Sequence, residues 1–459
     1  MSANGPPVFN ISDSPSAEKY LEIEKYFKSN FSNPPKFYAR VPGRVNLIGE
    51  HIDYCGFSVL PMALEQDIVL AVGTNDANVL NIINFDSERY ESFSTSVQDL
   101  HIDTSCPHWY HYFLCGYKGI SEKYVLKRKG LNVVVKGSVP PSAGLSSSSA
   151  LVCASALATG YANGISISKV EYATLCAESE KYIGTQGGGM DQSIGFLAES
   201  GTAKHIEFNP LRTTNVPLPK GVAFVVSNSC VAMNKAATSE FNTRVLECKL
   251  AAKVLAKLHG FEWQTVEKLA EIPFLLKKDL PEMKDVIDSH LSSKLYSRQD
   301  ICCMLDIESE QFQSFLSKNT QHLEKFQLGN RAQHVFQEAY RVRQFKLISE
   351  EGGDNTVHEL GRLMNESHVS CRDLYECSHP VLDDLVQTAL ESGAIGSRLT
   401  GAGWGGCCVS LVMENRVEEF LQMMKKKFYD KRGHGGEGTE NNTLMFPTKP
   451  SAGAAIYST

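Results

Sequence analysis

The sequence predicts a mixed α/β protein, built as two domains or one large bilobal unit. Three observations lead there. The chain has 459 residues, enough to bury a large core and more than one compact core usually serves. Amphipathic helical patterns and short β-branched runs both recur along it. Near its middle, the β-branched run Leu131–Val135 passes through Pro140-Pro141 and Gly144 into Ser146–Ser149 and the helix formers Ala150-Leu151-Val152, a strand–turn–helix pattern.

That central stretch has chemical meaning. A glycine turn leading into a serine-rich helix start presents unpaired backbone N–H groups and the positive end of a helix dipole, which suits phosphate. Serine hydroxyls can add hydrogen bonds or ligate Mg²⁺. No lysine follows as in a Walker A loop. A plain serine-capped helix after a proline turn reads equally well locally.

Composition narrows the class. At 42% hydrophobic and 21% charged residues the chain is ordinary for a globular protein. A net charge of −7 argues against non-specific binding to nucleic acid or to anionic membranes. No apolar run approaches the ~20 residues of a membrane span. The 13 cysteines are odd in number and form no C-x-x-C pair. Reduced thiols in a cytoplasmic setting are expected.

Taken from the start, residues 1–15 read as a loose tail and Ser16–Phe31 as an amphipathic helix. Lys36–Val41 reads as a strand ending at Pro42-Gly43. Arg44, Glu50, His51 and Asp53 then fall within ten residues, interleaved with Val45, Leu47, Ile48 and Ile52. Such groups among apolar neighbours must pair if buried. They suit sugar hydroxyls, or they form a structural ion-pair knot. Asp67–Val72 and Asn78–Ile83 fit strands. Trp109–Tyr117 carries an aromatic stripe at helical spacing that reads first as core.

Ser168–Ile183 reads as a helix closed by Gly184. The glycine run Gly187–Gly189 then precedes Met190-Asp191-Gln192, which makes Asp191 either a candidate base or metal ligand or part of a plain glycine loop. Thr202–Phe208 and Val222–Ser227 read as strands. Asn234-Lys235 opens a long helix to about Leu258, with Lys235 held against the dipole by an anion or facing solvent. Residues 260–330 read as a helical insertion, with proline breaks at Pro273 and Pro281. Arg331–Glu350, Thr356–Ser370 and Val381–Glu391 continue as helices. Gly401-Ala-Gly-Trp-Gly-Gly406 matches G-x-G-x-x-G, but the β-like run Cys407–Val412 comes directly after it, so a dinucleotide reading fails and a tight turn between strands is expected. Ala454–Tyr457 supplies a last strand.

Together these segments resemble the family shared by galactokinases, homoserine kinases, mevalonate kinases and phosphomevalonate kinases, the GHMP kinases. Pro141–Ala150 resembles its ATP-phosphate motif and Gly401–Gly406 its glycine-rich third motif. Gly43–Tyr54 and Gly188–Gln192 resemble the signature and catalytic-aspartate segments of the galactokinase branch. The resemblance runs from about Lys36 to the C-terminus. It implies a bilobal fold of two mixed α/β domains, 1–220 and 221–459, with the active site in the cleft between them.

It also implies ATP-dependent phosphorylation of an anomeric hydroxyl. Asp191 is then the general base and Arg44 its partner, and Arg44, Glu50, His51, Asp53 and Asp191 hold the sugar. Gly144, Leu145, Ser146, Ser147, Asn234, Lys235 and Trp109 contact ATP, and Ser147 and Glu180 hold Mg²⁺. The expected protein is a monomer that binds small molecules, not nucleic acid or membrane. His51-Ile-Asp-Tyr-Cys-Gly56, Ala402, Trp404 and Phe241 depart from the usual galactokinase pattern, and the variants His51–Gly56, Gly187–Gln192 and Leu399–Cys407 resemble the members acting on N-acetylgalactosamine. That makes N-acetylgalactosamine the expected acceptor, with galactose weaker and ordinary galactokinase activity the alternative. A fungal branch of silent sugar and ATP sensors is a second alternative, disfavoured by Ser149-Ala150, Asp191 and Arg44. The polar cluster Glu50-His51-Asp53 disfavours mevalonate or homoserine as substrate.

Overall fold

A computed structural model describes residues 4–13, 17–125, 127–232, 239–433 and 444–458. Asn234 and Lys235 lie outside the described residues. The chain packs as two compact units. The first comprises residues 1–44, 62–203 and 449–459, the second 45–61 and 204–448. Relative to consecutive halves at 220/221, packing moves 45–61 and 204–220 to the second unit and returns 449–459 to the first. The return has a plain cause, because Ala455–Ser458 pairs antiparallel with Phe37–Arg40.

The first unit is built on a seven-stranded mixed sheet. Its order is Val8–Asn10, Ala455–Ser458, Phe37–Ile48, Leu60–Asn75, Gly130–Gly137, Val79–Asn84 and Phe93–Ser96. The strand expected to stop at Pro42 runs on to Ile48. Proline ends a ladder by lacking an N–H. Pro42 lies just past the last residue paired with Ala455–Ser458, where no such donor is needed on that side. The helix Ala17–Phe31 lays Tyr20, Ile23 and Phe27 on Tyr38, Val69, Ala71 and Val134. Each such fully buried side chain contributes roughly 1.5–3 kcal/mol. Helices Trp109–Lys123, Ser147–Ala162, Lys169–Ser179 and Met190–Leu197 pack on one another. The aromatic stripe is core where Phe113 and Tyr117 are buried, as its spacing predicts.

The second unit holds a four-stranded antiparallel sheet ordered Gly396–Thr400, Cys407–Met413, Val222–Asn228 and Met445–Thr448. Helices Glu240–Leu258, Gly329–Glu351, Thr356–Asp373 and Pro380–Glu391 belong to it. Helix Thr356–Asp373 approaches strand Gly396–Thr400 so closely that a Cβ on Gly396 would lie 2.5 Å from the Gly361 Cα. The long helix expected from Asn234 opens at Glu240, after the N-cap Ser239, so its first turn carries an acid rather than a base. Residues 260–330 form short helices and a two-stranded pair, Leu295–Ser297 with Lys325–Gln327. Pro273 sits in the first turn of helix Glu271–Leu276, where a missing N–H costs nothing. All 13 cysteines are free thiols. No helix among the described residues is long and apolar enough to cross a membrane.

Candidate active site

In the first unit, Arg44 organises three segments from the middle of an all-buried strand. Its Nε donates to Asp191 Oδ1 at 2.7 Å and its Nη1 to the Gly144 carbonyl at 2.6 Å. Its backbone N–H donates to the Leu145 carbonyl at 3.1 Å. The guanidinium is 1% exposed, so carboxylate and loop are placed by a side chain with no room to move.

The loop itself turns through left-handed residues, Ser142, Gly144 (φ 73°) and Ser146 (φ 61°), before the helix starts at Ser147. Leu145 is 1% exposed and anchors the turn in the core. Ser146 Oγ is buried and lacks a hydrogen-bond partner among the described residues, an orphan of the kind a bound group satisfies. Asp191 stands in the first turn of helix Met190–Leu197, after Gly189 at φ 103°, where the helix dipole favours a carboxylate.

Ser149 adds a link that sequence reasoning misses. Its Oγ lies 3.1 Å from Glu180 Oε1 and 3.4 Å from Asp191 Oδ2, so its single proton can be given to either acid in turn. Gln192 Nε2 donates to Glu180 Oε2. Four consecutive serines hide which one faces the acids; the 100° step of the helix decides it. Glu180 comes after helix Lys169–Ser179 in a 3-10 turn and is 7% exposed. Trp109 starts helix Trp109–Lys123, donates Nε1 to the Glu91 carbonyl at 3.0 Å and packs edge-on to Tyr90.

The second unit joins the signature segment to the glycine-rich motif. Glu50 Oε1 accepts from the Gly401 N–H at 2.8 Å and from Arg398 Nη1 at 3.4 Å. His51, held at φ 62°, has Nε2 2.9 Å from the Ala402 carbonyl and Nδ1 2.8 Å from Tyr54 Oη. A carbonyl accepts only, so Nε2 carries the proton in the neutral ring and Nδ1 accepts from Tyr54. Tyr375, Trp404 and Phe241 rings surround that imidazole at 4.7, 5.6 and 5.7 Å. Asp53 is half-buried in the next turn, its carbonyl accepting from the Gly56 N–H. The glycine motif is the expected turn between antiparallel strands. A Cβ on Gly403 would fall 1.9 Å from the Cys377 carbonyl, the close approach of another loop that its glycines predict.

Behind the signature lies a charge knot that motif reading does not find. Glu338 Oε1 accepts from the N–H groups of Gly49 and Glu50 at 2.9 and 3.3 Å and from Ser367 Oγ at 2.6 Å. Its Oε2 accepts from Arg341 Nε at 2.7 Å. Burial pushes this carboxyl up, but Arg341 and Arg398 outweigh it and hold its pKa at about 2. His334 bonds Ser370 Oγ and the Glu50 carbonyl, and burial lowers its pKa to about 4. The one-letter pattern carries no signal for Arg398 or Glu338, which sit among mixed neighbours, Ser397 and Leu399, Gln337 and Ala339.

Family models match in the same order as these segments. The galactokinase galactose-binding signature covers residues 25–74, the GHMP kinase N-terminal domain 111–199 and the GHMP kinase C-terminal domain 346–430. The galactokinase of Dictyostelium discoideum is 43% identical over 473 residues, 96% of this chain and 94% of that protein. The chain belongs to the galactokinase branch of the GHMP kinases. The galactokinase of Candida parapsilosis is 35% identical over 480 residues, 96% of this chain and 95% of its own. Among solved structures, Lactococcus lactis galactokinase complexed with galactose shares the fold at a TM-score of 0.76 and 22% identity, covering 95% of this chain and 99% of that one. This GHMP kinase is thus an enzyme of the galactokinase type with a mixed α/β fold.

Proposed function

We propose that this galactokinase-branch enzyme transfers the γ-phosphoryl group of ATP to the anomeric hydroxyl of a galactose-configured sugar, as a cytoplasmic monomer. The observation that carries the reading is the Arg44–Asp191 pair tied to the Gly144 carbonyl, a carboxylate fixed beside a phosphate-type loop. Asp191 accepts the proton of the C1 hydroxyl as its oxygen bonds to phosphorus, and Arg44 favours the ionised carboxylate and counters phosphoryl charge. Backbone N–H groups at the head of helix Ser147–Ala162, with the orphan Ser146 hydroxyl, hold the phosphates together with Gly144 and Leu145. Asn234, Lys235 and Trp109 complete the nucleotide contacts. Most of the acceleration comes from alignment.

Ser147 and Glu180 would hold Mg²⁺ through hard oxygens, with Ser149, the serine whose hydroxyl is set against Glu180, as a further oxygen donor there. Bound there, Mg²⁺ would neutralise phosphate charge. Glu50 and Asp53 hold the sugar hydroxyls, and His51, expected to join them, positions the segment instead, since its two ring nitrogens are committed to Ala402 and Tyr54. An ionised carboxylate has about four acceptor positions, so Glu50 and Asp53 suit hydroxyl recognition.

Galactose is the acceptor that the relatives' names support. N-acetylgalactosamine is a second reading, favoured by Phe241, whose ring stands 5.7 Å from His51 and 5.5 Å from Tyr54 where many galactokinases place a tyrosine. Steady-state ADP release with the two sugars side by side tests both. Turnover of galactose at the higher kcat/KM supports the first; a tenfold advantage for N-acetylgalactosamine replaces it with the second. Absence of ADP release with either sugar removes the kinase reading.

A further inference from the structure

Four segments of the second unit meet around the His51 ring, and their polar groups run in one line. From the glycine-rich motif inward the line is the Ala402 carbonyl, His51, Tyr54 Oη, Tyr375 Oη and Cys248 Sγ, with spacings of 2.9, 2.8, 2.6 and 3.2 Å. Cys248 stands on helix Glu240–Leu258 and is 3% exposed, and Tyr375, just past helix Thr356–Asp373, is wholly buried. Groups so far from solvent must spend their protons on one another.

The direction of every bond follows from one end. The Ala402 carbonyl only accepts, so the neutral His51 ring carries its proton on Nε2, and Tyr54 gives its single proton to Nδ1. Tyr375 must then donate to Tyr54, since otherwise two oxygens with no proton between them would face each other at 2.6 Å. Cys248 is left as the first donor, to Tyr375. Burial pushes both phenols up, so their protons stay in place.

The last link reaches the site. His51 donates to the Ala402 carbonyl while Glu50 accepts from the Gly401 N–H at 2.8 Å, so two adjacent signature residues grip two adjacent residues of the glycine-rich turn. A ring with its proton on Nδ1 would aim a lone pair at that carbonyl and open the grip.

We propose that Tyr54 and Tyr375 are positioning residues for sugar binding. With Cys248 as first donor they fix His51 as the Nε2–H tautomer, and that tautomer keeps Glu50 and the glycine-rich turn in one geometry. The effect on sugar rests on the role proposed for Glu50; the tautomer does not.

The test uses the full chain with isotope-labelled histidine, the His51 signals being those missing from His51→Gln. Nitrogen–proton correlation spectra tell a protonated ring nitrogen from a bare one. Unsubstituted protein should show Nε2 protonated and Nδ1 bare; a proton on Nδ1 overturns the proposal without any further variant. Tyr54→Phe should populate the Nδ1–H form and raise the sugar KM about fivefold, with kcat within about twofold. Tyr375→Phe frees Tyr54 to turn its proton away, so it should shift the tautomer partly and raise KM about threefold. No change in either readout removes Tyr375 from the chain. Glutamine offers an N–H donor and has no tautomers, so in a His51→Gln background Tyr54→Phe should shift KM by less than about twofold. An equal shift in both backgrounds would mean that Tyr54 acts through packing. A changed tautomer with an unchanged KM refutes the link to sugar.

Discussion

The two polar clusters of this enzyme are built on opposite plans. In the first unit, Asp191 and Glu180 share the small hydroxyl of Ser149, and the Asp191 side chain keeps 12% exposure. In the second, Glu338 and Arg398 are wholly buried, and Glu338 accepts from two backbone N–H groups, a serine and Arg341. A hydroxyl can rotate and exchange partners. A carboxylate fixed by arginines and backbone donors cannot do so without exposing bare charge. The first arrangement suits proton transfer and a transient ligand. The second suits holding Gly49 and Glu50 in one geometry, whether or not it adds net stability.

Four substitutions break or sharpen that contrast. Asp191→Asn should lower kcat by ~10²–10⁴-fold through loss of the proposed general base. Its amide oxygen can still accept from Arg44, so the melting temperature should stay within about 4 °C; a large drop would assign the pair to structure. Arg398→Met should do the reverse. It strips a partner from buried Glu50 and Glu338 and should cost about 3–5 kcal/mol in denaturant unfolding. A loss below about 1 kcal/mol would mean the knot is not held by this charge.

The third test uses pH. Unfolded, His334 titrates near 6.5; folded, its pKa is about 4. Between these values the unfolded chain binds a proton that the buried ring refuses. The neutral ring's contribution is therefore complete above pH 6.5 and declines as pH falls toward 4, by up to about 3 kcal/mol. Glu338, depressed from 4.5 to about 2, loses its contribution only below pH 4.5. Melting curves from about pH 7 to 5 should thus flatten in His334→Gln, and an unchanged slope would place the titrating group elsewhere. Ser149→Ala is the mildest, with kcat expected to fall about tenfold, near the worth of one hydrogen bond to a charged group, roughly 1.5 kcal/mol.

Much of this is legible in one dimension. The strand–turn–helix around Gly144 and the rejection of a dinucleotide reading at Gly401 both rest on the residues immediately C-terminal to the glycines, a local property. Arg44 and Asp191 stand out through neighbouring motifs. The hidden part depends on distant pairing. Nothing near Glu338 announces that it reaches Gly49, and Ser149 differs from Ser147 only by helical rotation. The strand through Pro42 escapes a local reading because its neighbour, Ala455–Ser458, comes from the other end of the chain.

That last pairing shapes how the molecule is made. Ala455–Ser458 lies between Val8–Asn10 and Phe37–Arg40, so the sheet of the first unit lacks an interior strand until the chain has been made through Ser458. A ribosome can release the helices of that unit early, but not its completed sheet. A stop codon that removes only the last strand would leave two exposed strand edges, an invitation to pair with another nascent chain.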